Sequence, residues 1–228
     1  MNYLTRNKIY EKTAPNKDAK RVYIICEGQN TEYSYFNYFK GFSSNIDLIL
    51  IRSRNGQTDP LKLKEQAILL FLGNKEEDIT PKFTLSNEYK DEVWFVIDTD
   101  RWNEGNKIEQ LKEFCKLQNN KIGDWSVAQS NPCFELWQYY HFNENKPNIK
   151  KVINCASFKH FVSQSIKGGF DNRTMPIEIE AAITNSVTNY SEEKNCQPSL
   201  YSTQVHELGK VIYQFIKNEL NNAINNNK

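Results

Sequence analysis

Two short apolar runs that each end in acidic residues constrain the fold of this chain more than any other feature. The first run, Ile24–Cys26, is followed by Glu27; the second, Phe95–Ile97, is followed by Asp98 and then, two residues on, by Asp100. Runs of this length and composition are typical of strands buried on both faces of a parallel sheet. Ligands bind beyond the carboxyl ends of such strands. We therefore expect three carboxylates to meet at one edge of a sheet.

Carboxylates that lie this close raise one another's pKa unless a cation compensates their charge. Oxygen-only ligands suit Mg²⁺ or Mn²⁺ rather than zinc. Such an ion neutralises a phosphate oxygen and positions an in-line attack, with Glu27 completing the metal shell or acting as general base. The sequence thus predicts metal ligands at Glu27, Asp98 and Asp100. The alternative is that these acids only solvate strand ends or cap helices.

Strand and helix patterns alternate from Arg21 to about residue 146, which predicts an α/β fold. The predicted strands are Arg21–Cys26, Asp47–Ile51, Val93–Ile97 and Trp125–Gln129, and predicted helices begin at Thr31, Pro60, near Ile108 and after Asn131-Pro132. Three further helices are predicted at Phe158–Ile166, Ile177–Val187 and Val205–Leu220. We expect a polar segment at 1–20, a mostly parallel sheet flanked by helices at 21–146, a helical C-terminal portion packed on it at 147–220, and a tail at 221–228.

Composition excludes several classes of protein. The five cysteines of the 228-residue chain form no C-x-x-C pair, which argues against a disulfide framework or a zinc knuckle. The first twenty residues lack the apolar core of a signal peptide, and no apolar run approaches the ~20 residues that span a bilayer. No Walker-type glycine-rich loop occurs, which argues against an ATPase. We expect a cytoplasmic protein without a membrane partner.

Basic and polar residues near the predicted strand ends are candidates for substrate binding. Those around the second strand and the helix after it are Arg52, Arg54, Lys62 and Lys64. They could bind phosphates, although a charge run is more often a solvated face. Arg101 directly follows the acids and could contact a phosphate, and Trp102 could stack on a base or belong to the core. Asn131 is first a helix N-cap candidate and second a substrate contact.

Three residues on predicted helices carry a weaker signal. Glu32 and Glu135 lie near the starts of their helices, where an acid favours the helix dipole. Metal binding is the alternative role for Glu32, and Glu135 is equally a candidate catalytic residue. His141 closes the second of these helices, where a cationic side chain suits the carboxyl end.

Several fragments together resemble the RloB-like family. They are Ile25-Cys26-Glu27-Gly28-Gln29-Asn30-Thr31-Glu32, Asp98-Thr99-Asp100 and Ser130-Asn131-Pro132-Cys133-Phe134-Glu135-Leu136-Trp137. The resemblance implies a prokaryotic protein of phage-defence or restriction loci with a Toprim-like core, whose metal-binding acids fall on Glu27, Asp98 and Asp100. Near the C-terminus, Pro198-Ser199 and Thr203-x-Val205-His206 are similar to a further family pattern, which Leu200–Ser202 interrupts here.

The residues and the resemblance together favour a divalent-metal-dependent nuclease that acts in phage defence by abortive infection. Its expected catalytic residues are Glu27, Asp98, Asp100 and Glu135, and its expected partner is DNA or RNA. One alternative is a non-catalytic Toprim-like adaptor that binds nucleic acid or another protein of a defence system; another is a phosphotransfer enzyme with a small substrate. A homo-oligomer of the chain is also possible from the sequence.

Overall fold

A five-stranded, mostly parallel sheet organises the molecule. The computed structural model describes residues 12–99, 104–193 and 196–225. The strands are β1 (Lys20–Cys26), β2 (Ile46–Arg52), β3 (Glu92–Asp98), β4 (Asp124–Asn131) and β5 (Ser202–Thr203). Their order is β2-β1-β3-β4-β5; the first four are parallel, and β5 pairs antiparallel to β4. The predicted α/β fold with a mostly parallel sheet is confirmed.

Eight α-helices connect and cover the strands within the described residues. They are α1 (Thr31–Tyr38), α2 (Pro60–Phe71), α3 (Lys107–Asn119), α4 (Glu135–Tyr139), α5 (Ile149–Ile153), α6 (Phe158–Ser165), α7 (Ile179–Thr188) and α8 (Val205–Asn225). Asp59 caps α2 by accepting a hydrogen bond from the Leu61 N–H, with proline at the first helical position, as predicted. In the described part of the chain, no helix is both long and apolar enough to cross a lipid bilayer.

Both faces of the sheet are buried, because alternate residues of the central strands point to opposite sides. On one face, Ile24 and Val96 pack in a core that also contains residues of α1, α7 and α8. On the other, Ile25 and Phe95 pack with residues of α2 and α3. All seven residues of β3 are buried. Because β3 is the central strand of the five, its carboxyl end lies in the middle of the sheet edge.

The helices of the C-terminal portion pack on the sheet and on one another. Leu136 of α4 and Phe161 of α6 belong to a third cluster of buried residues, together with Tyr201 before β5. The buried face of α8, including Leu208 and Ile212, belongs to the core under the first face of the sheet. Helix α8 continues to Asn225, so the residues from 221 to 225 are helical rather than a frayed tail.

The structure corrects the predicted start of α4. Asn131 is the last residue of β4, its peptide bond to Pro132 is cis, and the helix begins only at Glu135. The prediction that Asn131 caps this helix is therefore wrong. The Asn131 side chain instead donates a hydrogen bond to the Pro198 carbonyl over 3.0 Å, because β4 runs on to pair with β5.

Candidate functional site

The ends of β1 and β3 bring Glu27 and Asp98 together. The two strands are neighbours in parallel register, so the residues that leave them lie side by side. A Glu27 carboxylate oxygen accepts a hydrogen bond from the Asp98 backbone N–H over 2.7 Å. Asp98 Oδ1 in turn accepts one from the Phe134 N–H over 2.8 Å. Each residue is only 8% exposed, so both acids lie in a buried position that carboxylates rarely occupy without a partner.

A third acid, Glu32, joins them from the first turn of α1. It is 5% exposed, and its Oε1 accepts a hydrogen bond from the Gly28 N–H over 3.2 Å. A Cβ atom at position 28 would overlap the Glu32 carboxylate, so a larger residue there would displace that carboxylate from its present position. The Glu32 side chain thus turns back toward the end of β1, in addition to lying in the first turn of α1.

Glu135 completes the cluster from the start of α4. Its Oε1 lies 3.2 Å from Lys159 Nζ of α6, whereas its Oε2 is buried and has no hydrogen-bond partner among the described residues. Ligand atoms of Asp98, Cys133 and Glu135 all lie within 4.8 Å of one another. We name the four carboxylates Glu27, Glu32, Asp98 and Glu135, with Lys159, the acidic site.

Electrostatics in the acidic site show an excess of negative charge. Burial raises the pKa of Asp98 well above its ordinary value, and the charges of Glu27, Glu32 and Glu135 raise it further. Burial, with Glu135, also raises the pKa of Glu32. Burial acts to lower the pKa of Lys159, but the charges of Glu135 and Asp98 outweigh it and raise that pKa. Among the described residues, Lys159 is the one cation that acts on Asp98, against the three acids Glu27, Glu32 and Glu135, so a further cation would relieve the repulsion.

Carboxylate oxygens, the ligands that Mg²⁺ and Mn²⁺ prefer, are offered by Glu27, Asp98 and Glu135. The ligand atoms found within 4.8 Å of one another belong to Asp98, Cys133 and Glu135, so Glu27 lies outside that group. The buried, unpartnered Oε2 of Glu135 is the atom that most needs a cation. Cys133 is a poor ligand for such an ion, because Mg²⁺ and Mn²⁺ prefer oxygen to sulfur. Burial, followed by the charge of Glu135, raises the pKa of its thiol. Of the predicted site residues, Asp100 and Arg101 lie outside the described residues, as does Trp102.

The family model described as RloB-like protein matches residues 22–212 of this chain. The chain belongs to the RloB-like family. The matched span contains every member of the acidic site in this RloB-like protein. No curated protein and no solved structure matches the chain.

Arg52 lies beside the acidic site of this RloB-like protein. It ends β2 opposite Cys26 of β1, one residue before Glu27. Its Nε donates to the Gln29 carbonyl over 2.9 Å, and its guanidinium lies 3.7 Å from the centre of the Tyr33 ring. The side chain is exposed, and these two contacts fix its position.

The other predicted basic residues are less closely tied to the acidic site. Arg54 is exposed in a short 3₁₀ turn after β2, and its described hydrogen bonds are backbone ones, from its N–H to Gln66 and to its carbonyl from the Gln57 N–H. Lys62 pairs with Glu65 over 2.8 Å at the surface of α2, where the solvated-face interpretation suffices, and Lys64 of the same helix is half-buried.

Two histidines do not join the acidic site. His141 is buried, and its ring nitrogens lie 3.1 Å from the Tyr35 hydroxyl and 2.9 Å from the Trp137 carbonyl. Burial lowers its pKa to about 3, so the expectation of a cationic side chain at the helix end is wrong. His206, in the first turn of α8, is also buried and pairs with Glu207 over 2.9 Å.

Lys159 is the member of the acidic site that the sequence did not indicate. It follows Ser157, which caps α6 by accepting a hydrogen bond from the His160 N–H. Nothing in its spacing from Glu135 predicts their contact, which depends on how α6 packs against α4 through Leu136 and Phe161.

Proposed function

We propose that this RloB-like protein is a divalent-metal-dependent phosphodiesterase that acts as a nuclease in phage defence, with a Toprim-like core. The observation that carries the proposal is the acidic site: four carboxylates around a central strand end, with one lysine as counter-ion. A glutamate after β1 and an aspartate at the end of the adjacent parallel β3 form the arrangement that the family resemblance implies for a Toprim core. The defence role is supported by family membership alone.

The chain's own residues divide the work. Glu27, Asp98 and Glu135 would hold Mg²⁺ or Mn²⁺, with Asp100 predicted to join them. The bound ion would supply neutralisation of phosphate charge and activation of water. The Phe134 N–H fixes the orientation of the Asp98 carboxylate, and the Gly28 N–H fixes that of Glu32.

Two cations flank the acids and suit an anionic substrate. The Lys159 side chain is 58% exposed, so its ammonium can contact a phosphate without leaving Glu135 entirely. Arg52 ends β2 at the same sheet edge, and its Nε bond to the Gln29 carbonyl leaves two further guanidinium nitrogens that could donate to a phosphate. A polynucleotide backbone that reaches the acids would meet both charges.

Incubation of the purified protein with DNA and RNA pools, with and without Mn²⁺, tests the proposal. We expect metal-dependent cleavage by the wild type, and loss of cleavage in Glu27→Gln and Asp98→Asn. Asp124→Asn is the matched control, because Asp124 is exposed at the start of β4, at the opposite edge of the sheet. Cleavage by Asp98→Asn at the wild-type rate across a metal titration would refute the site. Binding of the pools without cleavage under any metal would instead favour the adaptor.

A further inference from the structure

Two buried side chains next to Asp98, those of Thr99 and Gln129, are hydrogen-bonded to each other. Gln129 of β4 is fully buried, and its Nε2 donates a hydrogen bond to Thr99 Oγ1 over 2.8 Å. The Thr99 hydroxyl donates in turn to the Ser130 carbonyl over 2.8 Å, and the Thr99 N–H bonds to the same carbonyl over 2.9 Å. Thr99, the residue between the two aspartates of the Asp-x-Asp motif, is thus fixed on β4 by both its backbone and its side chain.

The neighbouring strand extends this arrangement toward the C-terminal portion. Ser130 Oγ lies 2.8 Å from Thr203 Oγ1, where β5 pairs with β4. The Thr203 hydroxyl also accepts a hydrogen bond from the Val205 N–H at the start of α8. The strand that holds Thr99 is therefore itself held by polar contacts on its other side.

Gln129 is an unfavourable choice for stability alone. Its Oε1 is buried and has no hydrogen-bond partner within the described ranges. A buried acceptor without a donor costs free energy, whereas an apolar side chain of the same shape avoids that cost. Methionine is close to glutamine in size and would fill the same space. Gln118 is buried in the same way, so what distinguishes Gln129 is its hydrogen bond to Thr99, the residue after Asp98.

We infer that Gln129 is a positioning residue: through the Thr99 hydroxyl it fixes the exit of β3, and with it the orientation of the Asp98 carboxylate toward a metal. This inference rests on the proposed function. Groups that hydrogen-bond behind a metal site orient its ligands, and their loss typically weakens metal binding 10–100-fold.

Calorimetric titration of the full chain with MnCl₂ tests the inference. We expect Gln129→Met and Thr99→Val to bind Mn²⁺ about tenfold more weakly than the wild type or worse. Thr99→Ser keeps the hydroxyl and should keep the affinity. Gln118→Met is the matched control, because Gln118 is also buried with an unpartnered Oε1, but it lies at the carboxyl end of α3, away from the acidic site.

Thermal melting in EDTA separates positioning from a structural role. Gln129→Met removes an unpaired acceptor and also the donor to Thr99 Oγ1, so the two effects offset and its melting temperature should stay close to that of the wild type. A lower melting temperature with unchanged Mn²⁺ affinity would overturn the inference, as would equal affinities for Thr99→Val and Thr99→Ser. A wild type that binds no Mn²⁺ would overturn the proposed function itself. Wild-type binding that Gln129→Met matches would overturn the positioning role alone.

Discussion

Replacing Asp98 with asparagine tests two properties of the acidic site: how much its buried charge destabilises the fold, and whether it binds a metal ion. Asp98 is buried among like charges, and burial first, then Glu27, raises its pKa in the folded protein well above the ordinary value. Asparagine keeps an oxygen that can accept the Phe134 N–H, so the substitution removes the charge and retains the hydrogen bond that orients the side chain. The Asp98→Asn variant should therefore fold, and it should differ from the wild type mainly in its pH dependence.

The sign and size of that difference follow from proton linkage. Above the ordinary Asp pKa of about 3.9, the unfolded chain releases the Asp98 proton while the folded protein retains it. The wild type's free energy of unfolding should therefore fall with rising pH by about 1.4 kcal/mol per pH unit from this residue, until the pH reaches the folded pKa. Stability from this source is fully present at low pH and is lost as the pH rises. The variant lacks this slope.

Urea denaturation in EDTA, at intervals from pH 5 to pH 8, measures the slope directly. If the free energy of unfolding of the wild type and of Asp98→Asn changed with pH in the same way, the raised pKa of Asp98 in the folded protein would be refuted. Repeating the series in Mn²⁺ tests its purpose: at a hundred times the dissociation constant, a ligand that binds only the folded state adds about 2.7 kcal/mol. The wild type should show this gain and the variant should not. An equal gain in Asp98→Asn would show that the ion binds elsewhere.

Two further predictions concern the cations that flank the acids. Lys159→Met should lower the rate of metal-dependent cleavage about tenfold or more, whereas Lys150→Met, at an exposed position on α5, should leave it unchanged; equal rates would remove Lys159 from the site. Replacing Arg52 by alanine should weaken polynucleotide binding and reduce the slope of log affinity against log salt concentration by about one, as measured by fluorescence anisotropy, and an unchanged slope would contradict a phosphate contact.

Sequence patterns predicted the central strands because their short apolar runs favour a buried strand over a helix. A run such as Val93–Ile97 is buried on both faces, and its apolar residues leave no helical period to compete. Strand β5 has two residues, and α5 buries none of its five, so neither carries a periodic signal. Asn131-Pro132 misled because the same dipeptide suits both a helix start and the end of a strand, and only the pairing with β5 decides between them.

The acidic site divides along the same line. Glu27 and Asp98 could be predicted because the carboxyl ends of neighbouring parallel strands share an edge. The burial of Glu32 and the reach of Lys159 could not, because each depends on how a helix packs rather than on where it lies in the chain. His141 shows the same limit from the other side: its position suggested a cation, and its burial beside Tyr35 and Trp137 makes it neutral.

The acidic site combines residues from the sheet with one from the helical C-terminal portion. Lys159, the counter-ion of the acidic site, comes from α6, beyond the strands that supply Glu27 and Asp98. Helix α6 is held there by contacts of Phe161 in the cluster that contains Leu136 of α4. Without α6, Asp98 would lose the cation that lowers its pKa, while the acids that raise it would remain. The helical C-terminal portion therefore supplies part of the electrostatic environment of the acidic site, together with the strands that carry Glu27 and Asp98.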